Sequence, residues 1–298
     1  MASTDKPYPV VMVLGSGGQL GQEFKYLHAH GSWRWQPCFF DHRQADLEHP
    51  GQISSLIREY KPAIIINAAA YTAVDRAESE PDQAMRINGL GPSRLAEVCA
   101  NEDIFLIHFS TDYVYHNGLT RPLREDDPVH PQSVYARTKL SGEQAVRVIQ
   151  PESMVLRTSW VYSRYGQNFV KTMLRLGREK SEIRVVDDQT GSPTWARDLA
   201  GAVLRIINDH GGDLRPFAGV YNYSNEGECS WYVFAKEIFR EAGLTVRVLA
   251  IPTTDYPTPA IRPPYSVLDK TKFKATFRLT IPAWQDSLKA CLPELLHA

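Results

Sequence analysis

Along the first half of the chain, short apolar runs alternate with longer stretches whose apolar residues recur every three or four positions. The runs Val10–Leu14, Trp35–Phe40, Ala63–Ile66, Ile104–Phe109 and Met154–Arg157 have the length and composition of strands. The periodic stretches around Leu20–His30, Gly51–Tyr60, Gln83–Asn101 and Tyr135–Gln150 predict helices. Near-continuous apolar strands alternating with helices predict a parallel sheet covered on both faces. Right-handed crossovers then make it a doubly wound α/β fold.

After about Thr158 the rhythm changes. Pro193, Pro252, Pro257, Pro259, Pro263 and Pro264 punctuate the tail, and helices such as Trp231–Glu241 stand between long irregular connections. The pattern predicts a dinucleotide-binding domain over 1–158 and a smaller C-terminal substrate-binding lobe over 159–298. Some segments of the second part are expected to return to the first. The 298 residues carry a net charge of −1 with no block of like charge, so neither nucleic acid nor a membrane is expected as a partner. Cys38, Cys99, Cys229 and Cys291 are scattered without a CxxC, which predicts reduced thiols and no zinc site. Met1 to Pro9 is polar, and the apolar run after it is far shorter than a signal or a membrane span. A cytoplasmic protein is expected.

Val11-Met12-Val13-Leu14 runs into Gly15-Ser16-Gly17-Gly18-Gln19-Leu20-Gly21. Gly15 permits a tight turn, Gly18 lets backbone approach a pyrophosphate, and Gly21 lets helix pack on strand. The helix that follows presents free N–H groups and the positive end of its dipole to phosphate. Glycine spacing alone is weak, but its place between the first strand and the first helix predicts a Rossmann-like dinucleotide site. Asp41 ends the second strand 20 residues after Gly21, where it suits a ribose diol and NADH. His42 and Arg43 follow and suit a 2′-phosphate and NADPH, so both cofactors stay open. Asn67-Ala68-Ala69-Ala70 offers small side chains on which a cofactor can lie.

Ser110-Thr111-Asp112 follows the fourth strand, and Tyr135 and Lys139 stand i, i+4 near the start of the next helix. A free tyrosine has a pKa of ~10, and lowering it to ~7 takes about 4 kcal/mol of differential stabilisation. An ammonium beside it supplies that. Tyr135 is then a general acid toward a carbonyl oxygen as hydride arrives from a nicotinamide. Thr111 is placed to hold the same oxygen. Tyr232 and Lys236 copy the spacing but lack the context, and are assigned to packing and a solvated amine.

These motifs resemble the extended short-chain dehydrogenase/reductases and, among them, the dTDP-4-dehydrorhamnose reductases. The resemblance rests on 67–75 (NAAAYTAVD), 77–81, 110–115 (STDYVY), 157–162 (RTSWVY), 168–175, 188–194 (DQTGSPT) and 256–263. It implies reduction of the C4 ketone of a dTDP-linked 4-keto-6-deoxy sugar, dTDP-4-dehydro-L-rhamnose, to dTDP-L-rhamnose. It implies catalytic roles for Thr111, Tyr135 and Lys139, the last also holding the cofactor ribose. Cofactor contacts are implied at Gln19, Leu20, Asp41, Asp46, Leu47, Ala68, Ala69, Ala70 and Thr72. Substrate contacts are implied at Thr111, Asp112, Val114, Trp160, Asn168 and Lys171, with Arg262 near the diphosphate. Lys171 and Arg175, four apart on one helical face, suit that diphosphate equally as a solvated basic face, and Trp160 suits a sugar or base equally as core.

Some relatives pair through a carboxylate-built Mg²⁺ site. Glu23 matches one of its positions, but Arg197 stands where another glutamate is expected, and Mg²⁺ wants hard oxygen ligands. That arginine argues against the site, with Asp198 the only nearby substitute; a Mg²⁺ stays open but disfavoured, and monomer and homodimer both stay open. Sugar-nucleotide dehydratases place an acid where Tyr113 stands, which disfavours dehydration. A reductase of a different nucleotide-linked 4-keto-6-deoxy sugar and a non-catalytic NADP-binding regulatory subunit are the alternatives. Tyr135→Phe keeps the ring and removes the proton donor, so kcat should fall roughly 10²–10⁴-fold. A near-normal kcat contradicts the assignment. Lys139→Ala should raise KM for the nicotinamide as well as lower kcat.

Overall fold

The structure is a computed structural model that describes residues 9–31, 33–210 and 212–296; the polar leader before Pro9 lies outside the described residues. The first half of the chain runs β1 (Val10–Leu14), α1 (Gln19–His30), β2 (Gln36–Phe40), α2 (Pro50–Tyr60) and β3 (Ile64–Asn67). Next come α3 (Val74–Ala77), α4 (Pro81–Met85), α5 (Gly91–Asn101), β4 (Phe105–Thr111), α6 (Val134–Ile149) and β5 (Met154–Thr158). The second half gives β6 (Val161–Tyr162), α7 (Phe169–Glu179), β7 (Glu182–Val186), β8 (Thr190–Gly191), β9 (Thr194–Trp195) and α8 (Ala196–His210). It closes with β10 (Gly219–Tyr223), β11 (Cys229–Ser230), α9 (Trp231–Glu241), β12 (Arg247–Ile251), α10 (Thr271–Phe277) and α11 (Trp284–Leu296).

Six parallel strands pair in the order β10-β5-β4-β3-β1-β2. The order turns back at β1: β2 lies on one side, and β3 starts the march on the other. A crevice therefore opens at the carboxyl ends of β1 and β3, where such sheets take ligands. Alternation along the strands explains the two covering layers. Val11 and Val13 face Phe24 of α1, Leu199 and Val203 of α8, and Phe273 of α10. Met12 and Leu14 face Ile53 of α2, Leu95 of α5 and Val146 of α6.

The predicted helix over Gln83–Asn101 is interrupted. α4 passes through one π-turn, Arg86–Leu90, before α5 begins with Pro92 at its second residue. A proline there cannot donate to a preceding turn, and the wide turn accommodates it. The turn lodges the backbone of Asn88 against α6, where a Cβ on Gly142 would meet the Asn88 carbonyl 2.0 Å away. β10 is a strand that the periodicity missed. It pairs with β5, and α8 and α10 pack on the same sheet, so three elements from the second half join the first core. The rest of the second half has a core of its own, built on Met173 of α7, Ile183 of β7, Phe234 of α9 and Leu288 of α11. Among the described residues no helix is long and apolar enough to cross a membrane.

Helices α1, α8 and α11 are tied by charge. Glu23, fully buried, accepts from the Arg197 Nε at 2.7 Å and from Ser163 Oγ at 2.5 Å. The same guanidinium reaches both oxygens of Glu294, Oε2 at 2.8 Å, and lies 3.6 Å from the centre of the Tyr26 ring. This does not fit Mg²⁺, because a cation already occupies the space between the carboxylates. Asp198 is no substitute: its Oδ2 accepts from Asn225 Nδ2 at 2.7 Å and from Ser287 Oγ at 2.5 Å. Among the described residues no cluster of three His, Cys, Asp or Glu side chains could hold a metal. Breaking a buried pair strands its partner's charge, at about 3–5 kcal/mol. Arg197→Met should lose roughly that in chemical denaturation, with Mg²⁺ leaving the Tm of the unaltered protein where it was. A loss below about 1 kcal/mol, or a rise in Tm with Mg²⁺, contradicts this reading.

Candidate active site

The crevice is lined by backbone brought unusually close. Gly15 has φ 76°, and a Cβ on it would lie 2.5 Å from the Ala69 nitrogen. A Cβ on Gly21 would lie 2.4 Å from the Gly15 carbonyl, which itself accepts from Gly18 N at 3.0 Å. Only glycine allows either approach. α1 begins at Gln19 with no side-chain cap, so its first N–H groups face the crevice free for an anion. Ala68, Ala69 and Ala70 stay partly exposed beside it, and Thr72 is exposed. Gln19 points elsewhere: its Oε1 accepts from Asn168 Nδ2 at 2.8 Å and ties the glycine turn to the second half.

At the end of β2, Asp41 Oδ2 accepts from Arg43 Nη2 at 2.9 Å, which holds the carboxyl below its ordinary range. Asp46 accepts from Glu48 N at 2.9 Å, and the Leu47 side chain is buried in the core between α2 and α5. Leu47 therefore has only its backbone to offer a cofactor.

β4 and α6 set the reacting groups. Thr111 ends β4 and caps the tight turn 112–115, its Oγ1 accepting from Tyr113 N at 3.3 Å. α6 starts at Val134 because Ser133 accepts from Ala136 N at 3.2 Å and Glu78 Oε1 from Val134 N at 2.7 Å. Tyr135 is thus the second residue of a doubly capped helix. Its ring meets that of Tyr113 edge-on at 6.0 Å. Burial raises the phenol to about 12, against the facing Thr111 hydroxyl, which lowers it; the charge of Asp112 adds to the rise.

Lys139 corrects one expectation. Its ammonium is buried, lowered by that burial to about 8, and donates to the Phe109 carbonyl at 2.6 Å. The i, i+4 spacing puts both residues on one face, but the lysine stem turns under toward β4, where the Phe109 carbonyl takes its ammonium. The neighbouring Glu143 favours its charge, and Glu143 is itself clamped by Arg157 at 2.5 Å. Behind them His108, fully buried, pairs its Nδ1 with Asn67 Nδ2 at 3.1 Å and is kept neutral by burial and by Lys139.

A cleft of about 850 Å³ opens next to Tyr135, with Tyr113 shared between them. Phe169, Met173, Trp231, Tyr256 and Arg262 line it. Trp231, Tyr256 and Phe169 carry no spacing signal, and sequence reasoning missed them. Trp160 stacks on Trp231 at 3.4 Å between ring centres, in a left-handed backbone conformation with φ 45°. One of its faces is therefore already covered by Trp231. Arg262 is held to Asp75 Oδ2 at 2.7 Å and to the Ala260 carbonyl at 3.2 Å, with its guanidinium at the cleft wall. Asn168 caps α7 by accepting from Lys171 N at 3.1 Å. Lys171 Nζ donates to the Arg164 carbonyl at 3.2 Å and Arg175 pairs with Glu179 at 3.0 Å, so these two bases do not converge. The Val114 side chain is wholly inside a small core and its carbonyl accepts from His130 N at 2.7 Å, so only its backbone can meet a ligand. Tyr232 and Lys236 pack on each other at 5.1 Å, away from the crevice.

Comparison with known proteins agrees with this architecture. The profile of the family described as "RmlD substrate binding domain" matches residues 10–297. A dTDP-4-dehydrorhamnose reductase of Sinorhizobium fredii is 44% identical over 259 residues, covering 84% of this chain and 86% of its own. The dTDP-4-dehydrorhamnose reductase ortholog of Clostridium acetobutylicum superposes with a TM-score of 0.89 at 38% identity, over 97% of this chain and all of that one. The Bacillus anthracis enzyme, solved in complex with NADP, gives 0.90 at 36% identity, over 96% and 99%. The chain belongs to the RmlD substrate binding domain family.

Proposed function

We propose that this chain is a cytoplasmic NAD(P)H-dependent dTDP-4-dehydrorhamnose reductase. It reduces the C4 ketone of dTDP-4-dehydro-L-rhamnose to give dTDP-L-rhamnose. The observation that carries the reading is the position of Tyr135. It faces the Thr111 hydroxyl, and its ring meets that of Tyr113, which lines the 850 Å³ cleft. Gly15, Gly18 and the first turn of α1 would hold the pyrophosphate of a nicotinamide dinucleotide, Asp41 its adenosine ribose, and Ala68–Ala70 the surface beneath it; when bound, it would supply the hydride.

Tyr135 gives its proton to the ketone oxygen, and a phenol at about 12 holds that proton until the oxygen becomes basic. Thr111 positions the oxygen, and the buried ammonium of Lys139, one turn further along α6, holds a ribose and meets the developing tyrosinate. Arg262, pinned by Asp75, faces the cleft where a diphosphate would lie, and the aromatic wall suits a sugar and base. We take one or two copies of the chain as equally compatible with this site.

Turnover of the 4-keto-6-deoxy-L-sugar nucleotide with NADH and NADPH in parallel, followed by product NMR, tests the proposal. dTDP-L-rhamnose is expected with both cofactors. Cofactor binding without turnover of any 4-keto sugar nucleotide would favour a regulatory subunit instead. Arg43 is 80% exposed and free to leave Asp41 for a 2′-phosphate. Arg43→Ala should therefore weaken NADPH about tenfold relative to NADH; an unchanged ratio removes Arg43 from cofactor choice.

A further inference from the structure

Thr111 has more partners than one hydroxyl can serve. It accepts from Tyr113 N at 3.3 Å, donates to Asp112 Oδ1 at 3.1 Å, and is meant to hold the substrate oxygen. A hydroxyl has one proton and two lone pairs. If Asp112 is a carboxylate, its charge claims the Thr111 proton, because ionised acceptors make the stronger bond. Thr111 then has no proton for a ketone. If Asp112 is a neutral acid, its O–H donates to Thr111, both lone pairs are used, and the threonine proton is free.

We propose that Asp112 is a positioning residue, whose own proton turns Thr111 from a donor to Asp112 into a donor to the substrate ketone. The inference rests on the reduction proposed above. The burial pattern supports it. Asp112 is 1% exposed, and its Oδ2 is enclosed by protein without a well-formed hydrogen bond. An ionised carboxylate pays heavily for that, whereas a neutral acid does so far less. Burial accordingly lifts the group to about 7, with the hydroxyls of Ser266 and Thr111 pulling it back. The titratable groups facing it are Tyr113 on its own turn and Tyr135 on α6. The Arg262–Asp75 pair acts on Tyr113. The Asp112 proton is not consumed: hydride goes to carbon, the Tyr135 proton goes to oxygen, and Asp112 keeps its own throughout.

Protonated Asp112 is the competent form, so kcat/KM for the sugar nucleotide should fall as pH rises through about 7. With saturating NADPH, the wild-type protein should lose about fourfold between about pH 6 and about pH 7.5. Asp112→Asn gives Thr111 a permanent N–H donor of the same shape. Its ratio over that interval should shrink to less than about 1.5-fold, with any remaining decline set by Lys139 near 8. Ser266→Ala removes a group that lowers Asp112, so the wild-type decline should move to higher pH. A fourfold fall that persists in Asp112→Asn overturns the inference, as does a Ser266→Ala decline that stays in place or moves down. The second variant decides the matter if the first does not fold. Absence of turnover by the wild-type protein at every pH would instead strike the proposed function, and this inference with it.

Discussion

The active end of this protein depends on how closely three backbone segments meet at the carboxyl ends of β1 and β3. The glycine turn lies against Ala68 and Ala69 so tightly that a single Cβ on Gly15 would sit 2.5 Å from a backbone nitrogen, well inside van der Waals contact. Gly21 repeats the constraint between turn and helix. With side chains removed from both contacts, the sheet's switch point becomes a flat-floored crevice, headed by the free N–H groups of α1. Its position decides what else can be functional: a group must reach this crevice or the cleft beside it.

β4 and α6 bring the chemistry to that place, and both are held from behind. The π-turn at Arg86–Leu90 presses Asn88 against Gly142, and Asn88 in turn bonds both the N–H and the carbonyl of Tyr71, at 2.8 and 3.0 Å. Glu78 and Ser133 set where α6 begins, which makes Tyr135 a first-turn residue aimed at the end of β4. Below them the buried Arg157–Glu143 pair compensates a charge that would otherwise stand beside Lys139. Charge burial here is tolerated because each ion has its partner.

Much of this was legible in the sequence. The five strands of the first half and the glycine turn follow from local pattern, because strand period and glycine sterics are local properties. Three features were not. β10 reads as part of an irregular tail, since its burial comes from α10 and β5, far away in sequence. The π-turn has no signal of its own beyond Pro92. Lys139 shares a helix face with Tyr135, but spacing along a helix does not say where a long flexible stem ends, and the Phe109 carbonyl takes it. The same limit separates Lys171 and Arg175, which spacing put together and local partners pull apart. The cleft wall of Phe169, Trp231 and Tyr256 is assembled from three segments distant in sequence, which no single motif could announce.

The proposed reduction requires hydride to reach the ketone carbon beside Tyr135, which holds the proton for the oxygen. Reduction with a nicotinamide carrying deuterium at both C4 positions, read by NMR of the sugar nucleotide, tests it most directly. One deuterium should appear on the carbon that bore the ketone, and the adjacent hydroxyl should carry a proton exchangeable with solvent. Deuterium found at any other carbon, or a reduced sugar with none, would contradict it.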